Sequence, residues 1–352
     1  MENKKEVPQK KKGKWLRWLL GFGLPAIAVV ALLWPLNYYI EVPGTTQSVS
    51  SMVQVSGKSD PDKGNFFLTT VEIAQANAAM MIYAHFDSFA TIYSAQELTG
   101  GLSNSQFNLV NQFYMQTAQN TAVQQAFKLA DKPYKMNYLG VYVLHVMPNS
   151  TFKNDLQIAD TITSVNGQTF TSSQEMIDYV AKQKVGDAVK IEVTRIDGSR
   201  HSYEGKYVKL ASGKTGIGIG LTDHTEVVTT PNVKINAGAI GGPSAGMMFT
   251  LETYTQLTGK DLRRGREIAG TGTINPDGTI GQIGGEDKKV ATASKEGASI
   301  FLVPDSGTKS EDTNNYLGAK AAADKLHTKM KIVPVKTIHD ALTYLETGKI
   351  VD

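Results

Sequence analysis

From Trp18 to Leu36 the chain runs through 19 positions without a charged residue, enough at 1.5 Å per residue to cross a hydrocarbon core of about 30 Å as a helix. Trp15 and Trp18 stand at one end of it and Trp34, Tyr38 and Tyr39 at the other, the aromatic pattern of two membrane–water interfaces. The pattern then changes. Residues 41–63 mix Ser, Thr, Gly and Pro with short runs of Val, which predicts an exposed stalk with a first strand or two. Gly64–Ile73 reads as a strand, and Ser105–Leu129 carries Leu109, Phe113, Ala118, Ala122 and Phe127 as the apolar positions of a long helix that Asp131-Lys132-Pro133 ends. Tyr83, His85, Phe86, Asp87 and Tyr93, between the two, read as packing and surface residues of a helical connection.

Further on, Val141–Val146 is a strand, Ile162–Gly167 a strand closed by Asn166-Gly167, Ser172–Lys182 a short helix, and Val189–Ile196 a strand ending in Asp197-Gly198. Beyond the hinge Ala211–Lys214, Val233–Ala237 is strand-like. A helix is expected over Ala245–Leu257, before Gly259, and another up to Gly297.

Length and composition place these elements in about two domains: 352 residues, 41% hydrophobic and 20% charged. The absence of cysteine excludes a disulfide framework, thiol catalysis and thiolate metal sites. Charge is uneven. Residues 1–17 hold seven Lys and Arg against Glu2 and Glu6, a net +5, so the remaining chain carries −2 of the total +3. That leaves no basic surface for nucleic acid on the folded part, and it predicts a cytoplasmic tail over 1–17, one membrane helix over 18–36, and everything after it outside the cell. A cleaved signal peptide lacks its small-x-small site, since Trp34-Pro35-Leu36-Asn37 stands there.

Candidate chemistry begins with Gly241-Gly242-Pro243-Ser244-Ala245-Gly246 at a helix start. A serine there is either an N-cap or a nucleophile, because glycines allow close backbone approach and free N–H groups at a helix N-terminus stabilise an oxyanion. A second constellation, Ile280–Lys289, holds Gly284-Gly285 followed by Glu286-Asp287-Lys288-Lys289. Helical spacing puts Lys288 on a face with Thr292 and Lys295, and Lys289 with the small apolar Ala293, so Lys289 is expected to point inward.

Two family resemblances emerge. Over roughly 75 positions, Leu139–Leu210 resembles a PDZ domain, with Leu139-Gly140-Val141-Tyr142 as the carboxylate-binding loop and Val165-Asn166-Gly167 as the turn of bacterial protease PDZ domains. Ala159-Asp160 departs from the usual Gly-Asp. The resemblance implies capture of peptide ends, and the simpler alternative is a spacer or shield. Residues 215–346 resemble the Lon-type (S16) peptidase domain through the Gly-Pro-Ser-Ala-Gly box at 242–246, the lysine four positions after Gly285, Thr271-Gly272-Thr273-Ile274, Ile300–Pro304 and Ile332–Val335. It implies a Ser244/Lys289 dyad, with N–H groups around Gly242 and Ser244 holding the oxyanion and Thr271 aiming Lys289. Gly64–Thr70 and Met115–Ala118 look like an earlier part of the same domain.

Together the order resembles the membrane-anchored PDZ/Lon proteases of Gram-positive bacteria, most closely a streptococcal type that trims a secreted competence pheromone. The expected fold class is α+β: a transmembrane helix, an extracytoplasmic segment over 41–130 that begins the protease domain, a PDZ domain over 131–212 and a Lon-type domain over 215–352. No cofactor is implied. A phosphate loop fails because Val208 stands where its first Gly belongs, and the six histidines form no His-x-x-x-His pair. The expected partners are a secreted peptide or flexible protein segment and the membrane, not nucleotide or nucleic acid. Two other functions remain open: an α/β-hydrolase with Ser244, Asp305 and His339, and a non-catalytic PDZ receptor in which Ser244 only caps a helix.

Overall fold

The computed structural model describes residues 19–58, 60 and 63–351; the tail 1–17 and Trp18 lie outside them. The chain forms two compact units, one from the N-terminal segment up to Val42 with Glu72–Gly101, the other from Pro43–Val71 with Leu102–Asp352.

In the first unit, five residues of π-helix, Leu19–Gly23, lead into ten of α-helix, Leu24–Leu33. The helix stops at Trp34, which is extended (φ −64°, ψ 128°) because the ring of the following Pro35 disfavours helical backbone before it. This corrects the expected helix over 18–36: Pro35 and Leu36 already belong to the strand Pro35–Ser48. Among the described residues no helix is long and apolar enough to cross a membrane. The side chains of Phe22, Ile27, Val29, Val30 and Leu33 are nevertheless exposed. Tyr38–Glu41 pair antiparallel with Thr91–Ser94, and the helix Ala78–Phe86 is capped by Asn77, whose Oδ1 accepts from the Met80 N–H at 2.9 Å. Ile40, Ala76 and Ala84 form the small core, and Phe86 is 81% exposed.

In the second unit the expected stalk is absent. Val49 and Val53 are fully buried in the main core, and Val53–Val55 pairs with Val233–Ile235. The alternating Val side chains of this short strand have an apolar face to bury, which composition alone does not reveal. Behind them lies a sheet in which Lys331–Val335, Ile300–Pro304, Glu267–Gly270 and Asn65–Leu68 run parallel in that spatial order. Ile300–Pro304 is buried at every position, as a parallel strand covered on both faces must be. Helix Gly246–Thr258 buries Met247, Met248, Phe249 and Leu251 in the core and stops at Gly259. Helix Asn104–Leu129 starts on a Ser103/Gln106 capping box.

Arg263 is fully buried between two carboxylates, Glu252, whose Oε2 accepts from Nη1 at 2.9 Å, and Asp60, and it lies 5.4 Å from the centroid of Phe66. Burial pushes the Glu252 carboxyl up to about 7, against the opposing pull of Gln256 and Arg263.

A second sheet, with the order Ile219–Thr229, Tyr134–Val146, Thr161–Val165, Ala188–Thr194 and Arg200–Lys206, has its own core of Val141, Val143, Ile162, Val165, Ile191 and Val193. Helix Ser173–Ala181 buries Met176 and Val180 against it.

Candidate active site

Ser244 and Lys289 reach one cavity of about 330 Å³, lined also by Thr45, Thr69, Met115 and Ile240. The serine stands two residues ahead of the helix Gly246–Thr258. That helix takes Ala245 as its N-cap, with no side-chain cap bond. Ser244 therefore does not spend its hydroxyl on capping, and the N-cap alternative loses its basis. Lys289 comes from the first turn of Glu286–Glu296, which opens on left-handed Gly285 and closes on left-handed Gly297.

Thr271 joins the two. Lys289 Nζ donates to Thr271 Oγ1 at 3.3 Å, and Thr271 Oγ1 donates to the Ser244 carbonyl at 3.3 Å, which also accepts the Gly272 N–H at 2.8 Å. Thr271 and Lys289 are both buried. Thr271→Val removes the hydroxyl at nearly constant shape and leaves a buried Lys289 donor bond unmade, a loss of about 1 kcal/mol or more. We expect kcat for peptide hydrolysis to fall roughly 10-fold with KM little changed, and Thr271→Ser to restore it, read by steady-state kinetics.

Of the N–H groups around Gly242 and Ser244 expected to face an oxyanion, the first has a protein partner. Gly242, at φ +85°, turns its N–H onto the Asn111 carbonyl at 2.8 Å, so that donor is already engaged. The N–H groups of Ser244 and Ala245 make no hydrogen bond among the described residues. Asn111, on the long helix, is a supporting residue the sequence reading missed. Nothing in its local pattern marks it, because its role is set by a carbonyl meeting a loop from another part of the chain.

Burial does not separate the two lysines: Lys288 is 3% exposed and Lys289 4%, although Lys288 was expected on the more polar face. Direction separates them. Lys288 pairs with Asp287 at 3.3 Å and does not line the cavity. The helix Asn315–Lys325 packs on the lysine helix, and its Asn315 donates to Glu286 Oε2 at 3.0 Å. Burial raises the Glu286 carboxyl, and Asp287 adds to this while Lys289 and Lys288 oppose it.

The hydrolase residues are not assembled. Asp305 Oδ1 accepts from the Gly307 N–H and Asn314 Nδ2, both at 2.8 Å, while His339 is exposed on helix Ile338–Thr347. Among the described residues the strand ahead of Ser244 pairs only with Val53–Val55, and no main-sheet strand turns directly into a nucleophile helix. Among the described residues no group of three His, Asp or Glu could hold a metal.

Leu139 and Gly140, expected in the carboxylate-binding loop ahead of the strand Val141–Val146, lie with Val141 and Tyr142 inside one longer strand, Tyr134–Val146. Gly140 (φ +138°) faces His224, Val141 faces Asp223 and Ile162, and Tyr142 faces Thr222 and Thr161; Leu139 is skipped in the ladder and 42% exposed.

Residues 117–206 match the PDZ domain family model. The Lon protease of Neorickettsia sennetsu is 31% identical over 103 residues, 29% of this chain and 11% of that protein. The Lon protease of Endomicrobium trichonymphae is 27% identical over 187 residues, 51% of this chain and 21% of that protein. The chain carries a PDZ domain and is related to Lon proteases. It spans only 11% and 21% of the length of these two relatives. Among solved structures, the PDZ domain of an SdrC-like protein from Listeria monocytogenes is 39% identical, covering 25% of this chain and 92% of its own, with a TM-score of 0.24.

Proposed function

We propose that the chain is a serine endopeptidase with a Ser244/Lys289 dyad that works without nucleotide or metal. It acts outside the membrane on peptides or flexible segments. The observation that carries this reading is the convergence of Ser244 and Lys289 on one cavity, with Thr271 bonded to both. Lys289, as the neutral amine, takes the Ser244 proton while Ser244 Oγ attacks the peptide carbonyl. The N–H groups of Ser244 and Ala245 hold the oxyanion. Lys289 passes the proton to the leaving amine, and water deprotonated by the same lysine releases the acyl group as a free acid.

A membrane anchor at the N-terminus is part of the proposal, supported by the basic residues before the uncharged stretch and by the exposed side chains of Phe22, Ile27, Val29, Val30 and Leu33. The resemblance to anchored PDZ/Lon proteases favours a secreted signalling peptide, of the competence-pheromone kind, as substrate.

The test incubates the purified chain with secreted peptides from a culture and reads the products by mass spectrometry. Cleavage is expected in chelator and without ATP. A need for ATP, or loss in chelator that a divalent metal restores, would overturn the mechanism.

A further inference from the structure

A PDZ domain takes an extended peptide by adding it to a sheet edge beside a helix. Here that edge, on the strand Tyr134–Val146, carries the segment Ile219–Thr229 in an antiparallel ladder from Ile219 opposite Val146 to Thr229 opposite Tyr134. This segment lies beyond residues 117–206, where the match to the PDZ family ends. It sits where a peptide would, antiparallel on this edge.

We propose that Ile219–Thr229 is the PDZ domain's own ligand, which closes this edge to peptides from outside and makes the domain a brace for the Ser244 loop. The proposal rests on the Ser244 reading only for the brace; the occupation of the edge stands without it.

Several contacts hold the segment. Asp223 Oδ1 accepts the Ser173 N–H at 2.8 Å in the first turn of the groove helix, as a ligand side chain beside that helix would. Ile219 and Leu221 pack on the domain core. The His224 ring stacks on Tyr142, with centroids 3.9 Å apart, and Tyr142 stacks in turn on Phe113 at 4.1 Å. His224 Nδ1 also shares a hydrogen bond with Thr161 Oγ1 at 2.9 Å. From the long helix, Thr117 Oγ1 donates to the Asp223 carbonyl at 2.9 Å and Asn120 Nδ2 to the Thr225 carbonyl at 2.8 Å.

The chain continues past the position opposite Gly140, so the occupant is an internal segment with no terminal carboxylate to capture. Tethering decides the competition. A short linker presents a segment at about millimolar effective concentration, so a free peptide of equal intrinsic affinity at micromolar concentration loses by roughly 10³-fold.

The brace follows from what lies downstream. The segment runs directly into Val233–Ile235 and then the loop carrying Ser244, and the helix that grips it through Thr117 and Asn120 also pins Gly242 through Asn111.

The test uses the full chain. Hydrogen–deuterium exchange should show the paired amides of 221–229 protected like those of Ala188–Thr194; exchange as fast as the loop 211–214 would overturn occupation of the edge, whether or not the protein is a peptidase. A disulfide lock supplies the second readout. Asn137 and Glu226 face each other in the ladder, with Asn137 Nδ2 donating to Glu226 Oε2 at 3.3 Å, and the chain has no cysteine of its own. Asn137→Cys with Glu226→Cys should cross-link on oxidation, since facing Cα atoms in such ladders are about 4.5–5.5 Å apart. Hydrolysis of a short unstructured peptide by the oxidised form should stay within about twofold of the reduced form, because a brace never has to leave. Loss on oxidation that dithiothreitol restores would show that the edge must open and would overturn the proposal. A chain inactive in both states would instead count against the peptidase reading, leaving exchange to decide the edge.

Discussion

Ser244→Ala and Lys289→Ala should each lower peptide hydrolysis by at least about 10³-fold, while His339→Ala leaves most of it. The two residues act on one proton, so the double substitution should cost little more than either alone. Ser244 makes no cap bond, so its loss should leave the melting temperature nearly unchanged. Lys288→Ala is the informative control. Lys288 is as buried as Lys289, so its removal should lower stability, but it lies off the cavity and kcat of the folded protein should persist. Kinetics paired with thermal unfolding of the four single variants and the double one check this. A folded, active Lys289→Ala protein would end the dyad reading, and an inactive but folded His339→Ala protein would revive the hydrolase triad.

Arg263→Ala should destabilise the fold by about 3–5 kcal/mol, because it strands Glu252 and Asp60 as buried acids without their cation. The effect has a pH signature. The Glu252 carboxyl is already raised to about 7, so its proton-linked contribution to stability is present below its ordinary value of 4.5 and is lost as pH rises through 7. Without Arg263 the carboxyl rises further. The deficit in the variant should therefore be larger at pH 8 than at pH 5, measured by denaturant unfolding at both. A smaller deficit at pH 8 would mean that the two acids are not held apart from water as the structure has them.

Much of the fold is legible in local patterns. The long helix, expected over Ser105–Leu129, spans Asn104–Leu129, and that expected over Ala245–Leu257 spans Gly246–Thr258. Both agree because caps, glycines and helical spacing act within a few residues of one another. The stalk was misread for the opposite reason: Val49 and Val53 look exposed in a Ser- and Thr-rich stretch, and only the distant strand Val233–Ile235 and the core behind it bury them.

The site divides along the same line. The Ser244 box and the lysine after Gly284-Gly285 are spacings along the chain, and the sequence by itself determined them. Which groups remain available was a tertiary decision. The Gly242 N–H is taken by a carbonyl from the long helix, Lys288 is buried although its helix face looked solvated, and the strand holding Leu139–Tyr142 has its open edge filled by Ile219–Thr229. A residue's chemistry and its period travel with the sequence. The partner of a donor, a helix face or a strand edge comes from chain that is remote in sequence, and local spacing carries no record of it.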